Sequence, residues 1–447
     1  MTSVALVVLD TLRKDAFDEC FDWLPGTRFE RAYAPGHCTP PVHASLFTGL
    51  YPDEHGVYLE EDELRTEERT VAEILSDCGY STRAYCANPL VTPDFMFGRG
   101  FDEFRLSWDL RQAKSQERFN WSSATDNDRS GAAARYAEAF VRMLESDADT
   151  LRSTRDGVRQ LLGNQGWGLY RDDGATEALS FVRSLDVTQD DDEFLFMNLM
   201  EAHRPYRPPP SYRTVSEYEY PHSIEMSFRD LNIDGENIRK AYHDSVSYLS
   251  DSYQEIFNVL KQKYELIITC GDHGELFGGQ ECDGLWEHFH GVYPELVHVP
   301  LSIYGPENDG MERMTPVSLV DVFPTITRAA RVNETRSGRD LLGDIDPRPL
   351  RTHTHGISQM HLEKIRNDAS ATKRAKEFDQ PFDGVVLPPS FYRYESVSGV
   401  HQDGTAERDD TEAAFKETLA SISFLERTDS RSVDEAIVNR LERLGYR

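Results

Sequence analysis

The sequence of 447 residues predicts an α/β fold in which a mostly parallel sheet carries helices on both faces. Strand-like and helix-like segments alternate along the chain, which is typical of parallel sheets. Two apolar strands, 3–9 and 265–270, each lead into a carboxylate, Asp10 and Asp272. Because open α/β sheets place their chemistry at the carboxyl ends of strands, the two carboxylates are expected to share one edge of the sheet.

Hydrophobic periodicity predicts the other elements. The predicted helices are 39–49, 70–78, 238–261, 318–330 and 433–446, and the further predicted strands are 81–86, 193–200 and 299–304. We divide the chain into a larger catalytic domain, 1–345, and a smaller C-terminal subdomain, 346–447, which ends in the amphipathic helix 433–446. Residues 105–185 are polar and show no clear strand, so we interpret them as a helical insertion beside the site.

Composition excludes some classes of partner. The formal net charge is −30, from 78 acidic and 48 basic residues, and such a field opposes nucleic-acid binding. The absence of a basic leader and of a long apolar segment predicts a cytoplasmic protein that does not enter a membrane. The surplus of acidic residues suggests adaptation to high salt, and an ordinary acidic enzyme is the alternative. Thermal unfolding measured with and without molar KCl would distinguish the two. The six cysteines show no Cys-x-x-Cys spacing and are expected to be free thiols.

A hydroxyl stands at the start of the helix predicted for residues 39–49. Thr39 precedes Pro40 and Pro41, and free N–H groups and the helix dipole favour an anion at such a position. Taken alone, Thr39 could simply cap the helix, and Asp10 could be a cap or turn residue after its strand. The coincidence of this hydroxyl with two strand-end carboxylates therefore points to chemistry on an anionic group.

Short motifs follow one another in a fixed order along residues 8–325. They occupy the segments 8–15, 39–57, 100–104, 201–206, 271–275, 290–293 and 320–325. With this order, roughly residues 1–345 resemble the sulfatase family of the alkaline phosphatase superfamily. The resemblance implies an alkaline-phosphatase-like central sheet and a metal-dependent hydrolase of sulfate esters, in which a covalent intermediate forms by in-line attack.

The chain departs from the best-known sulfatases at the nucleophile. Those enzymes carry Cys-x-Pro-x-Arg, whereas the segment 38–42 is Cys-Thr-Pro-Pro-Val and lacks the arginine. Counting back nine positions from Thr48, as the family motif requires, places the nucleophile at Thr39 rather than Cys38. This register resembles the branch that uses an unmodified Ser or Thr, such as phosphonate monoester hydrolases and phosphodiesterases. The expected lysine segment is also replaced, by Cys-Ala-Asn-Pro at 86–89, so phosphodiester or phosphonate hydrolysis is the alternative activity.

The resemblance also implies a ligand set for a divalent metal ion. Its members are Asp10, Thr39, Asp272 and His273. Carboxylate and imidazole ligands suit Mn or Zn better than Ca, and Ca and Mg remain open. One ion is preferred to two; a second ion would use Glu201, His203 and His290.

Three histidines are the further catalytic candidates. His203 takes the place of an anion-contacting histidine, and His290 that of a leaving-group acid, although His288 in the same segment is an alternative to His290. His43 lies one helical turn after Thr39 and can face the site. Each of these histidines could instead make only a structural hydrogen bond.

The expected substrate is a small-molecule or glycan ester of sulfate or phosphate. Two other classes of function stay open at this point: a soluble phospho- or sulfo-group transferase, and a non-catalytic metal-binding scaffold. The organic part of the substrate and the oligomeric state are not predicted.

Overall fold

The computed structural model describes residues 2–58, 63–108, 174–215, 223–231, 233–305, 310–334, 336–404 and 411–420, with a few positions between 109 and 173. Most of the predicted insertion 105–185 and all of the predicted helix 433–446 lie outside the described residues. The division at residue 345 stays a prediction.

The central sheet has eight strands, and its core is parallel. In chain order they are β1 (Val4–Leu9), β2 (Thr27–Phe29), β4 (Ser81–Cys86), β5 (Glu103–Leu106), β6 (Glu193–Leu199), β7 (Leu266–Cys270), β11 (Leu301–Tyr304) and β12 (Glu312–Arg313). The spatial order is β12-β2-β11-β7-β1-β6-β4-β5. Strands β7, β1, β6, β4 and β5 are mutually parallel, and β11 is antiparallel to both neighbours. The predicted mostly parallel sheet is therefore confirmed.

Twelve helices are described. They are α1 (Lys14–Cys20), α2 (Thr39–Thr48), α3 (Pro52–His55), α4 (Val71–Asp77), α5 (Ala175–Ser184), α6 (Ser223–Phe228), α7 (Gly235–Lys263), α8 (Pro294–Val297), α9 (Val322–Ala329), α10 (Gln359–Ile365), α11 (Ala369–Phe378) and α12 (Thr411–Ala420). Short 3-10 turns at Pro93–Phe95, Gln280–Cys282 and Leu319–Asp321 supplement them.

Helices cover both faces of the sheet, as predicted. Successive side chains of β1 point to opposite faces, so Leu6 joins one hydrophobic core and Val7 the other. The core containing Leu6 packs against α2, α4 and α9, and the core containing Val7 packs against α1, α5 and α7. Burial of β1 from both sides explains why this strand is apolar throughout.

Three smaller sheets complete the structure. The four-stranded antiparallel sheet follows residue 345 and consists of β14 (Leu350–Thr354), β15 (Phe382–Leu387), β16 (Phe391–Ser396) and β17 (Gly399–Asp403). The others are formed by β3 (Ala32–Tyr33), β10 (His298–Val299) and β13 (Val317–Ser318), and by β8 (Leu276–Phe277) and β9 (Trp286–Glu287). The backbone N–H of His353 donates to the carbonyl of Pro35 at 3.0 Å, which joins β14 to the segment before α2.

Among the described residues, no helix combines the length and the apolar character that crossing a bilayer requires.

Candidate active site

Four adjacent parallel strands deliver polar side chains to one edge of the central sheet. Asp272, Asp10, Asn198 and Asn88 lie at the carboxyl ends of β7, β1, β6 and β4 respectively. All four residues are buried. Asn198 pairs with Val8 and Cys86, so it lies two positions before the level of the other three side chains. All four side chains lie at the carboxyl edge of the sheet, as expected for a site in an open α/β fold.

Asp10, Asp272 and His273 offer ligand atoms that all lie within 4.8 Å of one another. The backbone N–H groups of Thr11 and His273 donate to Asp272 Oδ1 at 3.0 and 2.9 Å. Asp272 Oδ2 is buried and accepts no hydrogen bond from the described part of the chain. Two buried carboxylates with one unused oxygen fit a divalent cation, because burial of uncompensated negative charge is costly.

The electrostatics of the two carboxylates also indicate a missing positive charge. Burial, together with the charge of Asp10, raises the pKa of Asp272 to about 7. Burial opposes ionisation of Asp10 as well, but nearby imidazoles, led by that of His203, hold the pKa of Asp10 below its ordinary value. Within the described ranges, neither carboxylate pairs with a Lys or Arg side chain. A bound cation would supply that compensation.

Thr39 is the first residue of α2, and its hydroxyl faces this group. Thr39 Oγ1 lies 3.2 Å from His273 Nε2. His273 Nδ1 lies 3.0 Å from the carbonyl oxygen of Gly274, so its N–H donates there and Nε2 keeps a lone pair. Because Pro40 and Pro41 lack N–H groups, the helix end offers an anion fewer backbone donors than a typical helix start.

Cys38, the residue before Thr39, is not activated. Its side chain is buried at the N-cap position of α2 and makes no capping hydrogen bond. Burial, with the charge of Asp272, raises the pKa of the thiol far above its ordinary value. A neutral thiol is a weak nucleophile, so the geometry and the charge both favour Thr39 over Cys38.

Two asparagines belong to the site although the sequence had not singled them out as functional. Asn88 Nδ2 donates to Asp10 Oδ2 at 2.7 Å and lies 3.4 Å from Thr39 Oγ1. Asn198 Nδ2 lies 3.1 Å from the same Asp10 oxygen. Asn88 belongs to the segment 86–89, which stands in place of the lysine segment expected for sulfatases, and it supplies a neutral amide donor. Its position just after the predicted strand 81–86 was the feature of the sequence that could have indicated a role in the site.

We predict that Asn88→Ala lowers turnover by about 10- to 100-fold while the protein stays folded. The amide holds Asp10 and faces the Thr39 hydroxyl, and removal of such an orienting partner has effects of this size. Steady-state kinetics at saturating substrate and metal check it. Asn88→Asp, which keeps the shape but loses the donor, should be at least as impaired; equal activity of both variants and the parent would contradict the prediction.

His43 contacts the backbone of Thr39 rather than its hydroxyl. Its Nδ1 is 3.0 Å from the backbone carbonyl of Thr39 and 3.6 Å from Asp272 Oδ2. Burial lowers the pKa of His43 to about 4, so the ring is neutral near pH 7. This arrangement suits a residue that positions Thr39, and the predicted catalytic role of His43 stays a prediction.

The imidazole rings of His273, His288 and His203 lie side by side. The ring centroids of His273 and His288 are 4.3 Å apart, and those of His288 and His203 are 5.2 Å apart. His288 Nδ1 is 3.0 Å from Glu275 Oε1, and Tyr206 donates to the other oxygen of Glu275 at 2.7 Å. Burial raises the pKa of Glu275 to about 7 and lowers that of His203 to about 4. The Glu275–His288 pair can therefore hold a proton next to the site.

His290 and Glu201 have surroundings of their own. His290 Nδ1 lies 3.3 Å from Thr354 Oγ1, and the ring packs edge-on against His37. Glu201 Oε1 accepts a hydrogen bond of 2.6 Å from the N–H of Ala175, the first residue of α5. Within the described residues, Glu201, His203 and His290 do not form a ligand group. The structure thus places His288, rather than His290, beside His273.

Close packing explains the glycines of the segment 271–274. A Cβ on Gly271 would lie 2.8 Å from the carbonyl oxygen of Leu12, and one on Gly274 would overlap the carbonyl oxygen of Glu295. On the other strand, Thr11 adopts a left-handed φ of 61°, unusual for a β-branched residue. Hydrogen bonds from Thr11 to Asp10 and Asp272 hold that conformation, so strand-end geometry and ligand placement are coupled.

Comparison with known proteins identifies relatives of the chain. A family model described as Sulfatase matches residues 22–332. Choline-sulfatase of Rhizobium meliloti (strain 1021) is 26% identical over 330 residues, which are 68% of this chain and 61% of that protein. Low-salt glycan biosynthesis sulfotransferase Agl7 of Haloferax volcanii is 32% identical over 108 residues, 23% of this chain and 26% of that protein. The chain thus matches less than two thirds of the length of these curated relatives.

A solved structure shares the fold. Phosphonate monoester hydrolase SpPMH from Silicibacter pomeroyi superposes with a TM-score of 0.62 at 16% identity, covering 94% of this chain and 93% of that chain. The predicted alkaline-phosphatase-like fold is confirmed. Since the family model spans most of the sequence, the chain belongs to the sulfatase family.

Proposed function

We propose that the protein hydrolyses sulfate esters of small molecules or glycans, with Thr39 as the nucleophile. The observation that carries this proposal is the position of Thr39 Oγ1 at the start of α2, 3.2 Å from His273 Nε2 and beside the buried Asp10–Asp272 pair. Membership of the sulfatase family supports the reaction class.

Asp10, Asp272 and His273 would hold a divalent cation, with Thr39 Oγ1 completing the ligand set. When bound, such an ion lowers the pKa of the hydroxyl and neutralises the equatorial oxygens of the ester. Mn and Zn fit the mixed carboxylate and imidazole donors best.

The chain's own residues define the remaining steps. Thr39 Oγ1 releases its proton to water and forms a bond to sulfur as the S–O bond to the alcohol breaks, and the departing alkoxide takes up a proton. The Glu275–His288 pair is placed to supply that proton, and the neutral ring of His203 lies beside it, where it can contact the anion. Water then attacks the sulfur of the sulfothreonine, which releases sulfate and restores the hydroxyl. Asn88 donates towards the nucleophile throughout.

Hydrolysis of phosphonate monoesters or phosphodiesters is the second candidate. It is favoured by Thr39 as an unmodified nucleophile and by the segment 86–89, which contains no lysine where the resemblance leads one to expect the sulfate-binding lysine segment. Sulfate esters, phosphonate monoesters and phosphodiesters all carry one negative charge, whereas phosphate monoesters carry two near neutral pH. A site whose hydrogen-bonding side chains are neutral amides and imidazoles suits the singly charged group.

A substrate panel tests both candidates. The protein is loaded in parallel with Mn, Zn, Ca and Mg and assayed on an aryl sulfate, choline sulfate, an aryl phosphonate monoester, an aryl phosphodiester and an aryl phosphate monoester. We expect turnover of singly charged esters, with sulfate the best, and little turnover of the phosphate monoester. Metal-loaded protein that hydrolyses none of them, or only the phosphate monoester, would refute the proposal. Transfer of the sulfo or phospho group to an added sugar acceptor, instead of to water, would indicate a transferase.

A further inference from the structure

A second group of metal-ligating side chains lies outside the site described above. It consists of Asp53 on α3 and of His353 and His355 at the end of β14. One ligand atom from each of the three residues lies within 4.8 Å of the others. We propose that these three side chains bind a zinc ion that fastens the C-terminal sheet to the helix following α2, with water as the fourth ligand.

Strand geometry brings the two histidines to one face. Alternate residues of an extended chain point the same way, so His353 and His355 share a side while Thr354 points to the other. Thr354 indeed reaches His290 on the opposite face, with its Oγ1 3.3 Å from His290 Nδ1. The proposed zinc site and His290 therefore lie on opposite faces of the same strand end.

A carboxylate orients the first histidine as in many protein metal sites. His353 Nδ1 lies 2.7 Å from Asp383 Oδ1, so its N–H donates to that carboxylate and Nε2 carries the lone pair. His353 is buried, and its Nε2 has no hydrogen-bond partner among the described residues. A buried lone pair without a donor has the character of a metal ligand.

Asp53 faces both imidazoles with one oxygen. Asp53 Oδ1 is 3.9 Å from His353 Nε2 and 3.6 Å from His355 Nε2. Zinc–ligand bonds of about 2.0 to 2.1 Å place tetrahedral ligand atoms about 3.3 Å apart, so small adjustments would close the site. Arg351 pairs with Asp53 Oδ2, and Tyr58 donates to Oδ1 at 3.3 Å, so Oδ1 keeps a second lone pair for the ion. Two nitrogens and one oxygen suit zinc, and calcium and magnesium prefer oxygen.

An ion-pair cluster without metal is the competing explanation. Burial would raise the pKa of Asp53, but the neighbouring histidines and Arg351 hold it at about 2, so the carboxylate is ionised. Arg351, which pairs with both Asp53 and Asp383, together with the hydrogen bond between His353 and Asp383, would also satisfy the carboxylates. The two explanations differ in whether the chain binds a second equivalent of zinc.

Zinc content of the full chain distinguishes them. Parent, Asp272→Asn, His355→Gln and the double variant are equilibrated with excess Zn²⁺, freed of unbound ion by gel filtration and analysed for zinc per chain. We expect Asp272→Asn to keep one zinc ion, at the second site. The variant that combines Asp272→Asn with His355→Gln should keep none, and His355→Gln alone should contain one ion fewer than the parent. His355 is 24% exposed, so its replacement should disturb packing little. His401→Gln, on β17 of the same sheet, is the matched control.

Thermal melting provides an independent readout. Zinc should raise the Tm of Asp272→Asn by several degrees and leave that of the double variant unchanged, because an ion that binds only the folded state stabilises it. Equal zinc content in Asp272→Asn and the double variant, or no effect of zinc on the Tm of Asp272→Asn, would overturn the inference. If Asp272→Asn does not fold, equal zinc content in the parent and in His355→Gln would likewise overturn the inference. Neither measurement uses ester turnover, so failure of the proposed hydrolase function would be seen separately.

Discussion

Replacing Thr39 by alanine is expected to lower ester turnover by at least about 1,000-fold while the fold and the bound metal persist. Its hydroxyl lies 3.2 Å from His273 Nε2 and 3.4 Å from Asn88 Nδ2, so alanine removes the attacking atom from an otherwise intact site. Because Thr39 is buried at the start of α2, the missing groups leave only a small cavity. Initial rates, circular dichroism and metal content measured on the same preparation check this prediction.

Two neighbouring substitutions control for local disturbance. Thr39→Ser keeps a hydroxyl and should retain measurable turnover. Cys38→Ser changes the adjacent buried thiol and should stay close to the parent, since burial keeps that thiol protonated. Turnover that survives in Thr39→Ala but disappears in Cys38→Ser would reassign the nucleophile to Cys38.

Replacing Asp272 by asparagine is expected to weaken metal binding at the catalytic edge by more than about 100-fold and to abolish turnover. Asp272 Oδ2 is buried without a hydrogen-bond partner in the described structure, and it faces His43 and His273 at 3.6 and 3.4 Å. The amide has a weaker, uncharged oxygen, so the ion loses both a ligand and half of its compensating negative charge. Equilibrium titration with Mn²⁺, followed by elemental analysis, measures the change.

Metal-free Asp272→Asn should be at least as stable as the metal-free parent, because the substitution removes one of two buried like charges. Asp18→Asn, which removes a carboxylate paired with Lys14 on α1, is the matched control and should leave Mn²⁺ affinity unchanged. Unchanged affinity in Asp272→Asn would show that the cation binds elsewhere.

Much of the framework was readable from local patterns. The strands predicted at 3–9, 81–86, 193–200 and 265–270 form the parallel core of the sheet, because apolar runs of this length between helices have few other ways to bury both faces. The helix predicted at 238–261 extends to 235–263, with Asp234 as its N-cap. Such elements depend on periodicity and capping, which neighbouring residues determine.

The polar partners of the site were harder to predict. Asn88 and Asn198 resemble ordinary turn or strand residues, and only the alignment of β4, β1 and β6 brings both amides to one oxygen of Asp10. The segment 286–290 is irregular, so spacing along it did not decide whether His288 or His290 turns towards His273. Glu201 acquires its contact with Ala175 only because α5 starts beside it.

The sequence by itself determined the fold class and the strand ends that carry Asp10 and Asp272, because both depend on short-range pattern and motif order. The preference for Thr39 over Cys38 as nucleophile stays a prediction from the motif register. Only the tertiary structure decided which side chains, distant in sequence, contact the same atom or point towards the same position. Asp53 and His353, 300 positions apart, meet through the packing of β14 beside α3. Contacts of that kind depend on the three-dimensional path of the backbone, and no local pattern encodes them.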